Sequence, residues 1–149
     1  MHSTLRAMNK MEATNVDAAL EYLAMGWTVI PLCPHDDSGD SSSHTQTCTR
    51  PGKVAMVRFK PFQAQHPSTY QLTSTFETNS NVGIVMGQLS GLVGLDIDGP
   101  KAWDWYFEVM IFGEGTYTVA PPSVHPSGQT YGPWEGKLTD SPGWILEFV

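Results

Sequence analysis

Three short apolar runs, each closed by proline or glycine, set the main limit on how this chain can fold. The runs are WTVIPL from Trp27, NVGIVMG from Asn81 and SGLVGLDIDG from Ser90. Each has the length of one strand and contains β-branched residues, so each predicts a strand of a small sheet. Ahead of the first run, VDAALEYLAMG repeats apolar residues at helical spacing, which predicts a helix that starts near Asn15 and stops at Gly26.

The remaining segments give a coarser prediction. KVAMVRFKPF alternates enough to predict a second strand or edge segment, and HPSTYQLTSTFET predicts a short helix capped by Ser68 or Thr69. A helix is predicted from Pro100 through AWDWYFEVM, followed by two short strands in GTYTVAPPSVHPSGQTYGPWEG that a Pro/Gly turn joins.

Length and charge narrow the class of protein. The 149 residues, 40% of them hydrophobic, predict one compact domain over 15–149 behind a flexible segment at 1–14. The net charge of -7 argues against a protein that coats nucleic acid by charge alone. Half of the eight basic residues nevertheless form one acid-free cluster, which predicts a local anion-binding patch: Arg50, Lys53, Arg58 and Lys60.

No apolar run approaches the length of a membrane span, and the N-terminal residues lack the apolar core of a secretory signal. The sequence therefore predicts a soluble cytoplasmic protein without a membrane partner.

A polar loop at 33–52 contains both cysteines and two of the five histidines. Cys33, His35, His44 and Cys48 make a complete tetrahedral ligand set for Zn²⁺, and a loop this poor in aliphatic residues gains order from a metal crosslink. The alternative is a flexible loop with incidental cysteine and histidine. Aspartates of the same loop could also replace one histidine: Asp36, Asp37 and Asp40.

The sharpest chemical feature is Asp96-Ile97-Asp98 at the end of the third run. On a strand, residues i and i+2 share a face, so both carboxylates converge. Two such carboxylates repel each other unless they are protonated or bridged by a cation, and Mg²⁺ or Mn²⁺ is the usual cation in phosphoryl-transfer sites. The alternative is a simple strand terminator, since Asp98 is followed by Gly99-Pro100.

Four segments, in order, resemble the N-terminal primase/polymerase domain of bifunctional replication proteins of plasmids, phages and mobile elements, within the archaeo-eukaryotic primase superfamily. They are GWTVIPLCP, PGKVAMVRFKPFQAQHPS, NVGIVMGQLSGLVGLDID and GEGTYTVAPPSVHPSGQTYGPWEG, and the likeness runs from about Ala18 to Leu146. It implies an α+β fold, with a small mixed or antiparallel sheet around an RRM-like core and flanking helices, in a shortened form.

The resemblance also implies a divalent-metal-dependent nucleotidyltransferase that makes primers or DNA from nucleoside triphosphates on single-stranded DNA, with a replicative helicase as a further partner. Asp96 and Asp98 match the first acidic motif and would hold Mg²⁺ or Mn²⁺. Lys53, Arg58 and Lys60 are candidates for the triphosphate or template phosphates, the alternative being solvated charges beside a strand.

The chain departs from the family pattern between Asp98 and Gly113. The family's S-G-G-x-H motif is missing there, and Met110 stands where a third carboxylate is expected. Asp104 and Glu108 could substitute, but at helical spacing they are more typical of surface charges. Ser123 and His125 form an S-x-H that could in part replace the missing histidine as a nucleotide contact.

These departures point to an internal deletion and leave two alternatives to an active enzyme. One is a catalytically inactive remnant that binds nucleotide, DNA or a replication partner. The other is a zinc-ordered interaction module.

Overall fold

Five strands form two separate antiparallel sheets, and two α-helices pack on one of them, in the described part of the computed structural model. It describes residues 14–36, 48–76, 79–98, 108–134 and 138–145, with the backbone alone at 97, 98, 108 and 109. The elements are α1 (Asn15–Ala24), β1 (Thr28–Leu32), a 3-10 turn (Lys60–Gln63), α2 (Thr69–Thr75), β2 (Asn81–Val85), β3 (Gly94–Asp98), β4 (Glu108–Phe112) and β5 (Tyr117–Ala120). The sheets have the order β1-β2-β5 and β3-β4. The predicted α+β class is confirmed, and every described strand pair is antiparallel.

Helix α1 begins where the sequence predicts, because Thr14 and Asp17 form a capping box. The Asp17 backbone N–H donates to Thr14 Oγ1, and the Thr14 backbone N–H donates to Asp17 Oδ2 at 3.0 Å. The hydrogen bonds from Thr14 hold the pKa of the Asp17 carboxyl below its usual value. Gly26 follows the helix with φ of +87°, which permits the chain to reverse into β1.

The three-stranded sheet has a hydrophobic cluster on each face. On one face the helices supply Ala19, Tyr22 and Leu72, which pack with Val29 and Ile84. On the other face Ile30, Leu32 and Val85 are covered by residues of the segment after the polar loop and by two β5 side chains: Ala55, Val57, Phe59, Phe62, Tyr117 and Val119. Both faces of this sheet are therefore buried, which explains the near-continuous apolar runs of β1 and β2.

KVAMVRFKPF does not form a strand; it lies beside the end of β1 as an edge segment, the other arrangement that the sequence predicts. The segment makes only an isolated bridge between Ala55 and Leu32, and then turns into the 3-10 turn with Pro61 in its first positions. Two backbone hydrogen bonds attach it to the end of β1, from the Cys33 N–H to Val54 O and from the Met56 N–H to Pro31 O. Pro31 has no N–H that could donate to the Met56 carbonyl in return, so the pairing with β1 stops there.

Two further predictions differ from the structure at their ends. Residues 108–110 of the predicted AWDWYFEVM helix belong to β4, while 99–107 lie outside the described residues. The region after β5 makes an isolated bridge, Val124 to Thr130, in place of a second strand. The predicted flexible segment lies outside the described residues except for Thr14.

In the part of the chain that the structure describes, we find no helix with the length and apolar character needed to cross a bilayer.

Candidate functional site

A cleft of about 1040 Å³ lies between β5 and the β3–β4 hairpin. Within the described residues β5 is an edge strand of its sheet, and the consecutive residues from Gly115 to Val119 line one side of the cleft. Gly94, Asp96 and Met110 of the hairpin line the opposite side. The two sheets thus frame an open, solvent-accessible site.

Most of the β3–β4 residues that line the cleft lie on one face of the hairpin, although Leu95 of the other face borders it as well. Gly94 pairs with Phe112, and Phe112 packs against the core cluster that contains Met86. Because side chains alternate along a strand, residues 96 and 98 share the face of Gly94. Asp96 is exposed and lines the cleft, which is where the sequence analysis expects a metal ligand.

The register of the hairpin decides what stands opposite the two aspartates. Asp96 pairs with Met110, and Asp98 pairs with Glu108. Directly opposed residues of an antiparallel pair lie on the same face with Cβ atoms about 4.5–5.5 Å apart. The methionine therefore faces the first aspartate, and a glutamate position faces the second.

Basic residues enter the cleft from the end of the polar loop. Arg50 and Lys53 line it, and their backbones are joined by a turn in which the Lys53 N–H donates to Arg50 O at 3.1 Å. Tyr117 of β5 fixes this turn, since its hydroxyl donates to Lys53 O at 3.1 Å and accepts from the Ala55 N–H at 3.2 Å. The sheet therefore determines where the two cations stand.

The buried side chain of Asn81 forms a hydrogen bond with the backbone of the same turn. Asn81 is 1% exposed, and its Nδ2 donates to Gly52 O at 3.1 Å and to Val124 O at 2.8 Å. Its Oδ1 accepts from the Val124 N–H at 2.9 Å. Gly52 has φ of +76°, and a Cβ there would lie 2.9 Å from Asn81 Nδ2, so this position requires glycine.

Aromatic side chains complete the cleft. Trp27, Tyr131 and Trp134 line it together with Tyr117. Burial raises the pKa of the Tyr131 hydroxyl above its usual value, and the negative charge of Asp96 raises it further. The negative charge of Asp96 therefore acts on the Tyr131 hydroxyl across the cleft that both residues line. From the sequence alone Trp134 is more typical of a core or covering residue, although its place in a loop two residues beyond Gly132 would also allow it to stack on a base. Tyr131 lies in the same loop, and no pattern in the sequence singles it out.

The sequence profile of the bifunctional DNA primase/polymerase N-terminal family matches residues 19–112, well over half of the chain. The chain belongs to this family. The match runs from α1 to the end of β4 and includes Lys53, Asp96 and Asp98, whereas β5 and the segment after it lie beyond its end. Membership indicates a primase/polymerase-type function in DNA replication, with nucleotide and DNA as ligands. No curated protein and no solved structure gives a significant match to the chain.

The other residues selected from the sequence do not all reach the cleft of this primase/polymerase domain. Arg58 and Lys60 are exposed, but they are not among the described residues that line it. Ser123 is buried, and its hydroxyl accepts from the Val82 N–H at 2.8 Å, so its position is structural. His125 accepts from the Ser127 N–H through Nδ1 at 3.1 Å, and its ring meets that of Tyr131 at 6.0 Å.

The structure brings both cysteines of the primase/polymerase domain together. The Sγ atoms of Cys33 and Cys48 are 4.0 Å apart without a disulfide, and the Val54 N–H points to Cys33 Sγ at 3.4 Å. His35 follows Cys33 by two positions in the sequence and is half-buried. His44 lies outside the described residues. Among the residues that are described, no group of three or more His, Cys, Asp or Glu side chains is arranged to hold a metal ion.

Proposed function

We propose that this domain is a metal-dependent primase/polymerase that binds a nucleoside triphosphate in the cleft and acts on single-stranded DNA. The 3′-hydroxyl of the growing strand would bond to the α-phosphate of the triphosphate, the bond between the α- and β-phosphates would break, and pyrophosphate would leave. One observation carries the proposal: Asp96 lines the same cleft as Arg50 and Lys53. A carboxylate beside two cations is the arrangement that a metal-bound triphosphate requires, because the cations bind phosphate oxygens and the carboxylate binds the metal. The domain would serve the replication of a plasmid, phage or mobile element, with a helicase exposing its template.

The acidic residues fit Mg²⁺ or Mn²⁺. Both are hard cations that prefer carboxylate oxygens and keep several waters, and exposed Asp96 offers such an oxygen toward open solvent. Asp98 lies two positions further along β3, on the same face by strand alternation. Asp96 and Asp98 would hold the metal, which would supply neutralisation of the charge that develops on the phosphate, and Arg50 and Lys53 would orient the phosphate tail.

Glu108 is our proposal for the third acid. Helical spacing predicts a surface charge at this position, but residue 108 begins strand β4. Its register partner is Asp98, so it belongs to the face of the hairpin that carries both aspartates.

The second candidate is a binding domain without catalysis. The observation that favours it is Met110, which faces Asp96 with a thioether in place of a metal-binding carboxylate. Such a domain keeps the phosphate-binding cations and binds nucleotide or DNA without synthesis.

Primer extension on a single-stranded template, with Mg²⁺ and Mn²⁺ and with ribo- and deoxyribonucleotides, tests the proposal. We expect synthesis by the wild type, and we expect Asp96→Asn and Asp98→Asn to reduce it by at least about a hundredfold, as for other groups that stabilise transition-state charge. Asp140→Asn is the matched control, because Asp140 is exposed and does not line the cleft. Nucleotide binding without synthesis would favour the second candidate, and synthesis unaffected by either aspartate change would refute the site.

We also propose that Cys33 and Cys48 hold Zn²⁺, with further ligands from His35 and His44 in the segment between them. Two sulfurs on a tetrahedral zinc with Zn–S bonds of about 2.3 Å lie about 3.8 Å apart, close to the 4.0 Å between the two Sγ atoms. The Val54 N–H at Cys33 Sγ would stabilise a thiolate. Such a centre would fix the loop that leads to Arg50 and Lys53.

Metal content of the purified protein tests this centre. We expect about one zinc per chain, lost in Cys48→Ser and retained in His125→Ala, which changes a histidine far from the pair in sequence. Cobalt substitution should give the absorption of thiolate-bound Co²⁺. Wild-type protein that contains no zinc and does not take up cobalt would contradict the proposal.

A further inference from the structure

Trp134 is a large apolar side chain that the fold leaves exposed and yet holds in place. It is 56% exposed and lines the cleft that also contains Asp96, Arg50 and Lys53. Its one polar atom is already satisfied, because the indole N–H donates to Tyr22 Oη at 2.9 Å. What remains available to a ligand is the apolar surface of the ring.

The anchor of this indole is rigid. Tyr22 is 7% exposed, and its hydroxyl donates in turn to Pro121 O at 2.8 Å. The Tyr22 ring stacks on Trp27, with ring centroids 5.5 Å apart and planes 23° apart, and Trp27 also lines the cleft. A chain of two hydrogen bonds and one stacked pair therefore connects Trp134 to helix α1 and to the end of β5.

An exposed aromatic ring, held by a hydrogen bond in the same cleft as the two cations proposed to bind phosphate, is suited to a nucleobase. Every base has a flat π-face, and stacking on an aromatic side chain is tolerant of sequence. The cations and the carboxylate of the cleft can hold only the phosphate part of a nucleotide, so the base needs an apolar surface of its own. If the only role of the indole were to cover Tyr22, 56% of the Trp134 side chain would not need to remain exposed to solvent.

We infer that Trp134 is the nucleobase-stacking residue of the cleft, held in position by Tyr22. The inference rests on the proposed function, because it assigns the base of the nucleotidyl ligand whose phosphates that function places at Arg50 and Lys53. The base could belong to the incoming nucleotide or to single-stranded DNA, which present the same π-face, and the two sources are separated by experiment.

The test compares ligands with and without bases. Binding of dATP is measured against inorganic tripolyphosphate, and binding of an oligothymidylate against an abasic oligonucleotide of the same length. Trp134→Leu should weaken dATP, oligothymidylate or both by about tenfold or more, the range expected for one stacked base, and leave the base-free ligands unchanged. The arm that responds identifies the source of the base. Trp134→Phe, which keeps a ring, should retain most of the affinity.

Trp144→Leu is the matched control, since Trp144 is 57% exposed but does not line the cleft. Tyr22→Phe removes the anchor without removing the indole, and it should weaken the base-bearing ligands by a smaller factor. Equal affinity of wild type and Trp134→Leu for both base-bearing ligands would overturn this inference alone. Wild-type protein that binds neither nucleotide nor oligonucleotide would overturn the proposed function and the inference together.

Discussion

Asp96 and Met110 are direct partners across the β3–β4 hairpin. Both line the cleft, and Met110 is 42% exposed, so the methionine does not fill the core. The position that faces Asp96 across the hairpin is therefore partly open to solvent. This register means that a carboxylate introduced at residue 110 would stand directly opposite Asp96.

Met110→Glu should strengthen Mn²⁺ binding. The new carboxylate would face Asp96 across the strands, and a cation between the two would relieve their repulsion. We expect at least about a tenfold lower dissociation constant for Mn²⁺ by titration calorimetry, and faster primer extension if the domain is catalytic. Met110→Gln has similar size without charge and should leave the metal affinity unchanged. A Met110→Glu protein that binds Mn²⁺ no more tightly than Met110→Gln would argue against a metal site on this face.

Glu108→Gln should weaken Mn²⁺ binding if the register partner of Asp98 supplies the third acid. Removing one of three carboxylates from a site should raise the dissociation constant by about tenfold or more. Glu114→Gln provides the comparison, because Glu114 is exposed and accepts from the Gln88 N–H at 3.0 Å. Equal effects of the two changes would indicate a general loss of negative charge, and Glu108 would then have no specific place in the site.

The two strands of the candidate site, β3 and β4, differ in how well the sequence predicts them. The aspartates are predictable because strand alternation is local: the pattern in GLDID fixes a shared face without knowledge of the rest of the fold. The β4 residues that face the two aspartates are not predictable, because the helical spacing of Asp104 and Glu108 predicts a helix where β4 begins. Once a strand replaces the helix, Glu108 moves from a surface position to the face of the aspartates.

The fold shows the same contrast. The capping box at Thr14 and the apolar spacing of α1 are local signals, and the structure confirms that helix. The segment from Lys53 to Phe62 alternates like a strand, but it packs its apolar side chains over Ile30 and Leu32 as a covering segment. Which of these arrangements forms depends on contacts with β1 and Tyr117 that are distant in the chain. Trp134 and Tyr131 likewise become site residues only through tertiary contacts.

Arg50→Gln and Lys53→Gln should each weaken binding of single-stranded DNA and reduce its salt dependence. Each phosphate contact contributes about 0.7 to the slope of log K against log salt for a single strand, so each variant should lower the slope by about that amount. Arg58→Gln is the control, because Arg58 is exposed outside the cleft lining. Slopes measured by fluorescence anisotropy between low and moderate salt decide the question, and a larger change in Arg58→Gln would locate the DNA elsewhere.

Gly52→Ala should destabilise the domain and displace Lys53. The backbone at Gly52 has φ of +76°, and a Cβ would lie 2.9 Å from Asn81 Nδ2 and 3.3 Å from Val124 O. The strained backbone alone costs about 1–3 kcal/mol. Gly128→Ala is a matched control, with φ of +83° and no atom within 4 Å of the new Cβ. Chemical denaturation should show the larger loss for Gly52→Ala, and equal losses would mean that Asn81 yields without cost.

Asp96→Asn should lower the pKa of Tyr131. Burial raises the pKa of this hydroxyl, and the carboxylate charge of Asp96 raises it further, so removing that charge leaves only the burial effect. Difference absorbance of tyrosine ionisation, with Tyr131→Phe subtracted to isolate one side chain, measures the shift. An unchanged Tyr131 titration in Asp96→Asn would show that the two residues do not face each other in solution.

The same group makes the stability of the fold depend on alkaline pH. The folded-state pKa of Tyr131 lies above the unfolded value of about 10, so the unfolded chain releases the phenolic proton first as pH rises. The stabilisation is present below that pH and is lost as pH rises through the folded-state pKa. The urea concentration at the unfolding midpoint, measured from about pH 8 to about pH 11, should fall less steeply with pH in Tyr131→Phe than in the wild type. Tyr70→Phe is the control: it removes a tyrosine that is 80% exposed, and its urea midpoints should follow those of the wild type.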